Sequence, residues 1–152
     1  MGLDIKAYKN MKKVENAERD AFGILESDDL LEIHQDIIDY TEKEFRGRTK
    51  GLKSGIYEYK QSDGFRAGGY IGYTLFRQKL EKIVSNSQLY EFLMFSDCEG
   101  YIGSVVSKKL ANDFKDLELM AKEELDENDF ETFKNFKNAF ELASENGCVE
   151  FY

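Results

Sequence analysis

Two short stretches concentrate the residue types that chemistry needs. Phe95-Ser96-Asp97-Cys98-Glu99-Gly100-Tyr101-Ile102-Gly103 sets a thiol between two carboxylates, beside a hydroxyl and a pair of glycines. Upstream, Phe65-Arg66-Ala67-Gly68-Gly69-Tyr70-Ile71-Gly72-Tyr73 combines an arginine with three glycines and two tyrosines. Helical patterns follow both, so each reads as a loop ahead of a helix start, where free N–H groups and the helix dipole favour an anion.

In the 96–103 loop, Asp97 and Glu99 at positions i and i+2 suit a hard cation or an arginine. There is no EF-hand spacing, so no metal is assigned. The preferred reading pairs one carboxylate with Arg66 or Arg77 and gives the other to the helix start. Cys98 as a nucleophile needs a base, and His34 is the single histidine. A lone cysteine is more commonly a small buried thiol, and no catalytic residue is assigned.

The 65–73 loop points to binding. Arg66 can fork onto a carboxylate or phosphate, Gly68 and Gly69 let the backbone approach a ligand, and Tyr70 and Tyr73 offer ring faces with a hydroxyl. Against this, the chain is 14% aromatic, so these rings could equally serve the core. Neither a phosphate-binding P-loop nor GxGxxG is present. The candidate ligand-binding set is Arg66, Gly68, Gly69, Tyr70, Tyr73, Asp97, Cys98 and Glu99, with no cofactor.

These loops must be held by a single domain spanning 1–152, large enough to bury about 70% of its unfolded surface. Leu3–Tyr8 alternates as a half-buried strand, while Val14–Ile24 carries no clear pattern. Apolar spacing predicts a helix over 29–45 behind Ser27-Asp28-Asp29, with a strand near 30–38 left open by Ile33, Ile37 and Ile38. Ile56–Lys60 reads as a strand, Thr74 as the cap of a short helix, and Leu89–Phe95 as a buried central strand. Ser104 is expected to cap one helix and Asp126 to precede another that stops at Gly147, before a strand over 148–152. The order predicts an α+β fold: a small sheet with helices packed mainly on one face, a single layer pair. Gly-Tyr-Ile-Gly occurs at both 69–72 and 100–103, too short a match to establish a repeat.

Net charge is −9, which argues against general nucleic-acid binding. The charge is segregated. Residues 15–44 hold eleven acids and two bases, and 113–131 nine acids and two bases. Between them, 45–82 holds nine bases and three acids, the composition of a solvated basic segment or of an anion-binding groove. No apolar run approaches the roughly 20 residues of a membrane helix, and the start of the chain has no export or lipidation pattern. A cytoplasmic protein with free thiols at Cys98 and Cys148 is expected.

Taken together, Met1-Gly2-Leu3-Asp4-Ile5, Gly47-Arg48 with Gly51-Leu52, Phe65-Arg66-Ala67-Gly68 with Gly72-Tyr73, the Ser96-Asp97-Cys98-Glu99-Gly100 motif with Ile102-Gly103, Lys109-Leu110-Ala111 with Asp113-Phe114, and Ala143 with Asn146-Gly147 resemble a family of small proteins encoded by bacteriophages and prophages. Similar sequences tend to carry tryptophan where this chain has Phe76 and proline where it has Ser104. The resemblance implies a phage-related intracellular protein and supplies no reaction. The expectation is a non-enzymatic binding module for a small anionic ligand or a host or phage protein. A small Cys- or carboxylate-based enzyme acting on a nucleotide or host protein is the alternative, and an acidic DNA-mimic decoy the second.

Overall fold

The computed structural model describes residues 2–96 and 99–152. It is an α+β fold built on a four-stranded antiparallel sheet, with a second, three-stranded antiparallel sheet beside it. In chain order the elements are β1 (Gly2–Lys9), β2 (Lys12–Lys13), β3 (Leu31–Ile33), α1 (Gln35–Glu44), β4 (Gly55–Glu58), β5 (Gln61–Gly69), α2 (Tyr70–Glu81), α3 (Tyr90–Leu93), β6 (Gly100–Gly103), α4 (Ser104–Glu124), α5 (Glu127–Ala143) and β7 (Cys148–Phe151). The larger sheet runs β5-β1-β7-β6 and the smaller β2-β4-β3.

Strand alternation divides the larger sheet into two working faces. Leu3, Ile5 and Ala7 on β1, Val149 and Phe151 on β7 and Ile102 on β6 join α2 to α5 in one buried cluster. Tyr8, Cys148 and Tyr101 face the other way, with Leu31, Ile33 and Ile38 from β3 and α1. The centre of the first cluster is Phe92, whose ring lies 4.7 Å from Phe136 and 5.5 Å from Phe114. Rings at these separations favour tilted, edge-to-face contact, and most of this core meets that way.

Several expectations shift. Leu89–Phe95 is not a central strand: Tyr90–Leu93 is the single helical turn α3. A continuous apolar run does not distinguish a buried strand from a buried helix, and here Leu89 enters left-handed (φ 57°) while the Asp113 carboxylate accepts its N–H at 2.9 Å. Phe65–Gly69 belongs to β5 rather than to a loop, and α2 starts at Tyr70. Gly100–Gly103 is likewise a fully buried strand. Thr74 and Ser104 lie inside their helices, and the residues at the caps are Gly69 and Gly103. Residues 29–45 divide into strand and helix at His34, because Leu31 and Ile33 pair with Tyr57 and Gly55 on β4. Asp126 does cap α5, accepting from the Asp129 N–H at 2.8 Å. No helix among the described residues is long and apolar enough to cross a membrane.

Candidate functional site

The two motifs rich in chemistry sit at opposite edges of the larger sheet. Gly100, Phe151, Ile5 and Phe65 form one row across β6, β7, β1 and β5. Three strand spacings, about 14 Å, therefore separate the neighbourhoods of Glu99 and Arg66. Arg66 instead pairs with Asp4 on the adjacent strand at 3.5 Å, with its side chain largely exposed, a type of contact worth little in water. Gly68 (φ 99°) sits opposite Leu3, where the β1–β5 register shifts, a backbone geometry glycine adopts without strain. Gly69 precedes α2, and Tyr70 is half-exposed on its first turn.

Tyr73 is not available to a ligand. It is fully buried, and its hydroxyl donates to the Phe95 carbonyl at 2.7 Å. Arg77 is also buried, donating to the Leu93 carbonyl at 2.8 Å and stacking on Tyr73. Glu99 is exposed and lines a small hollow with Asp36, Ile37 and Tyr40. Asp97 and Cys98 lie outside the described residues, and with them the proposed Arg66–Asp97 and Cys98–His34 pairings. His34 is exposed at the start of α1, where its backbone N–H donates to the Tyr101 hydroxyl oxygen at 3.3 Å.

The more suggestive surface lies between the end of α1, the loop after it, and α3. Tyr40, Glu44, Phe45, Arg46, Arg48, Tyr90, Met94 and Ser96 line a groove of about 620 Å³. Its construction can be followed from the Gly47 turn. Phe45 closes α1 through its N–H to Thr41, and Gly47 takes φ 86°. The Glu42 carboxylate then accepts the N–H groups of Gly47 (2.7 Å) and Thr49 (2.9 Å), and also the Thr49 hydroxyl. Burial raises the Glu42 pKa, but the Thr49 hydroxyl, the two N–H groups and the nearby Arg48 outweigh it, so the carboxyl is held below its usual value.

This turn is fastened to the free edge of β6. The Gly103 N–H donates to the Arg48 carbonyl at 2.7 Å, and the Tyr101 N–H donates to the Thr41 hydroxyl at 3.3 Å. Covering an edge strand in this way removes a site of unwanted pairing. It also fixes Arg48, whose side chain donates to the Glu91 carbonyl and the Arg46 carbonyl, each at 3.0 Å, and stacks on Tyr90 at 5.8 Å. Arg48 is only 7% exposed, whereas Arg46 is exposed. Neither forms an ion pair among the described residues. The groove therefore offers two guanidinium groups, one exposed and one locked, beside half-exposed Tyr40, Tyr90 and Met94.

Two other places are less suited to binding. A hollow of about 430 Å³ beside Lys9, Asp63 and Glu145 is crossed by the Lys9–Glu145 ion pair at 2.7 Å. On the inner face of β7, Glu150 stands in register with Lys6 and Tyr101, and burial raises its pKa; Tyr101, pushed up to about 12 by burial, and Tyr8 are part of the core there. Among the described residues, no group of three or more His, Cys, Asp or Glu side chains could hold a metal ion.

Sequence reasoning missed Tyr40, Arg46, Arg48, Tyr90 and Met94 as a set, although Arg46 and Arg48 belong to the basic middle segment. Tyr90 and Met94, four apart, were the available signal: an outward-facing pair that a helical reading of 89–95 would have found. Comparison with protein-family models, curated proteins and solved structures gives no match.

Proposed function

We propose that the chain is a non-enzymatic binding module whose groove holds an acidic group next to an apolar or aromatic one, as an acidic segment of a partner protein presents them. The observation that carries this is Arg48: a nearly buried guanidinium, locked by two backbone carbonyls and a tyrosine face, with exposed Arg46 beside it. A preorganised arginine binds a carboxylate without first losing side-chain freedom. Tyrosine, arginine and methionine are also the side chains enriched at the centres of protein interfaces. The resemblance to small phage and prophage proteins supports a host or phage protein as the partner, inside the cell.

A decoy for DNA-binding proteins is less well supported. The acidic segments 15–44 and 113–131 belong to layers on opposite sides of the larger sheet: α1 packs with Tyr101 and Cys148, whereas α4 and α5 pack with Ile102 and Val149.

The test is an NMR titration of isotope-labelled protein with a capped Asp-Phe dipeptide, alongside inorganic phosphate. Shifts by the dipeptide centred on Phe45–Arg48 and Tyr90–Met94 are expected, with weaker shifts by phosphate. Shifts confined to Arg66–Tyr70, or none, would contradict the assignment.

A further inference from the structure

An acidic segment with an aromatic tip occurs in this chain itself, between β2 and β3. Its end is a structured finger. Arg19 and Leu25 form an antiparallel bridge, and the Asp20 carboxylate accepts the N–H groups of Phe22 (2.8 Å) and Ile24 (2.9 Å). Arg19 donates to the Gly23 carbonyl at 2.9 Å and forks onto the Glu32 carboxylate at 2.5 and 3.1 Å, tying the finger to its base. The side chains at the tip are nonetheless left in solvent: Phe22 is 88% exposed and Ile24 63%. The chain on either side of the tip carries exposed Glu15, Glu18, Glu26, Asp28 and Asp29.

A large aromatic ring held outward on an ordered turn has no role in this chain's own core. We infer that the Phe22 finger of one copy occupies the Arg46–Arg48 groove of a second copy, joining chains head to tail; this rests on the groove reading above. The two surfaces are complementary in charge, since the acids flanking Phe22 would meet Arg46 and Arg48, which outnumber the single groove carboxylate Glu44, and in polarity, since Phe22 would meet Tyr90 and Met94. Within one chain they stay apart. The finger is clamped at Glu32, ahead of α1, the groove is lined from Tyr40 onward with no finger residue in it, and Phe22 is left in solvent. In this head-to-tail arrangement the finger and the groove of each copy engage different neighbours, so association is heterologous and continues into rings or open chains, whereas a reciprocal pair, each finger in the other's groove, would close as a two-fold dimer.

Sedimentation equilibrium over a range of protein concentrations tests this directly. The wild-type average mass should rise past that of a dimer as concentration increases, and fall back in high salt, which screens the charged contacts. Phe22→Ala and Arg46→Glu alter exposed side chains, and each should weaken association by about tenfold or more. An equal mixture of the two should form dimers that grow no further, because one variant retains only a working groove and the other only a working finger. A wild-type chain that stays monomeric or stops at a dimer, variants that associate like wild type, or a mixture that fails to pair would each overturn the proposal. Titrating Phe22→Ala with the capped Asp-Phe dipeptide separates the two claims. If the dipeptide binds while wild type remains monomeric, the groove stands and self-assembly falls; if it does not bind, both fall.

Discussion

At the scale of single residues, Glu42 decides whether the groove exists in this form. Its carboxylate gathers two backbone N–H groups and a hydroxyl into the turn that aims Arg48. Glu42→Gln keeps the shape and removes the charge, and should cost about 1–2 kcal/mol at neutral pH, since hydrogen bonds to charged groups exceed neutral ones. The pH dependence follows from the direction of its shift. A carboxyl held low in the folded state stabilises the fold fully above its unfolded pKa, and that contribution is lost as pH falls through the folded value. Urea unfolding should therefore show wild type and Glu42→Gln converging as pH drops from about 5 to about 3. A difference that stays constant across that range would remove the charge from the explanation.

At the scale of elements, the two Gly-Tyr-Ile-Gly stretches show how far four identical residues determine structure. In the first, Gly69 ends β5 and Gly72 is an exposed residue of α2 with open space where a side chain would go. In the second, all four residues form the buried strand β6, and a Cβ on Gly103 would come within 2.7 Å of the Lys50 carbonyl. Gly72→Ala should raise stability by about 0.5–1 kcal/mol, the helix preference of alanine over glycine. Gly103→Ala should instead lower it by more than about 1 kcal/mol, because backbone must move and the Arg48 turn moves with it. Chemical denaturation of the pair measures both signs. The same contrast explains what could be seen in the sequence. Helices with one apolar stripe, such as α4 and α5, and the alternating β1 were legible because their periodicity records one buried face. β6 was not, since it is buried on both faces and leaves no period to detect. Nor was α3, because one turn is too short for outward Tyr90 and Met94 to register a period among buried Leu89, Phe92, Leu93 and Phe95. The groove was hidden for a related reason: its residues come from two segments more than forty positions apart, joined only in the fold, where β6 holds the Arg48 turn through Thr41 and Gly103 and Arg48 bonds across to Glu91.

At the scale of the whole molecule, the four-stranded sheet separates a helical layer from a second layer formed by α1 and the small sheet, and the groove opens at the β6 edge. The Arg66 side of the sheet lies at the other edge, which makes it the natural control for any claim about binding. Thermal unfolding with and without the capped Asp-Phe dipeptide, in wild type, Arg46→Ala and Arg66→Ala, compares the two edges in one measurement. A ligand that binds only the folded chain must stabilise it, by about 5–10 °C at a hundredfold excess over Kd. The groove account predicts that shift in wild type and in Arg66→Ala, and its loss in Arg46→Ala. No shift in wild type, or a shift that survives in Arg46→Ala and disappears in Arg66→Ala, would contradict it.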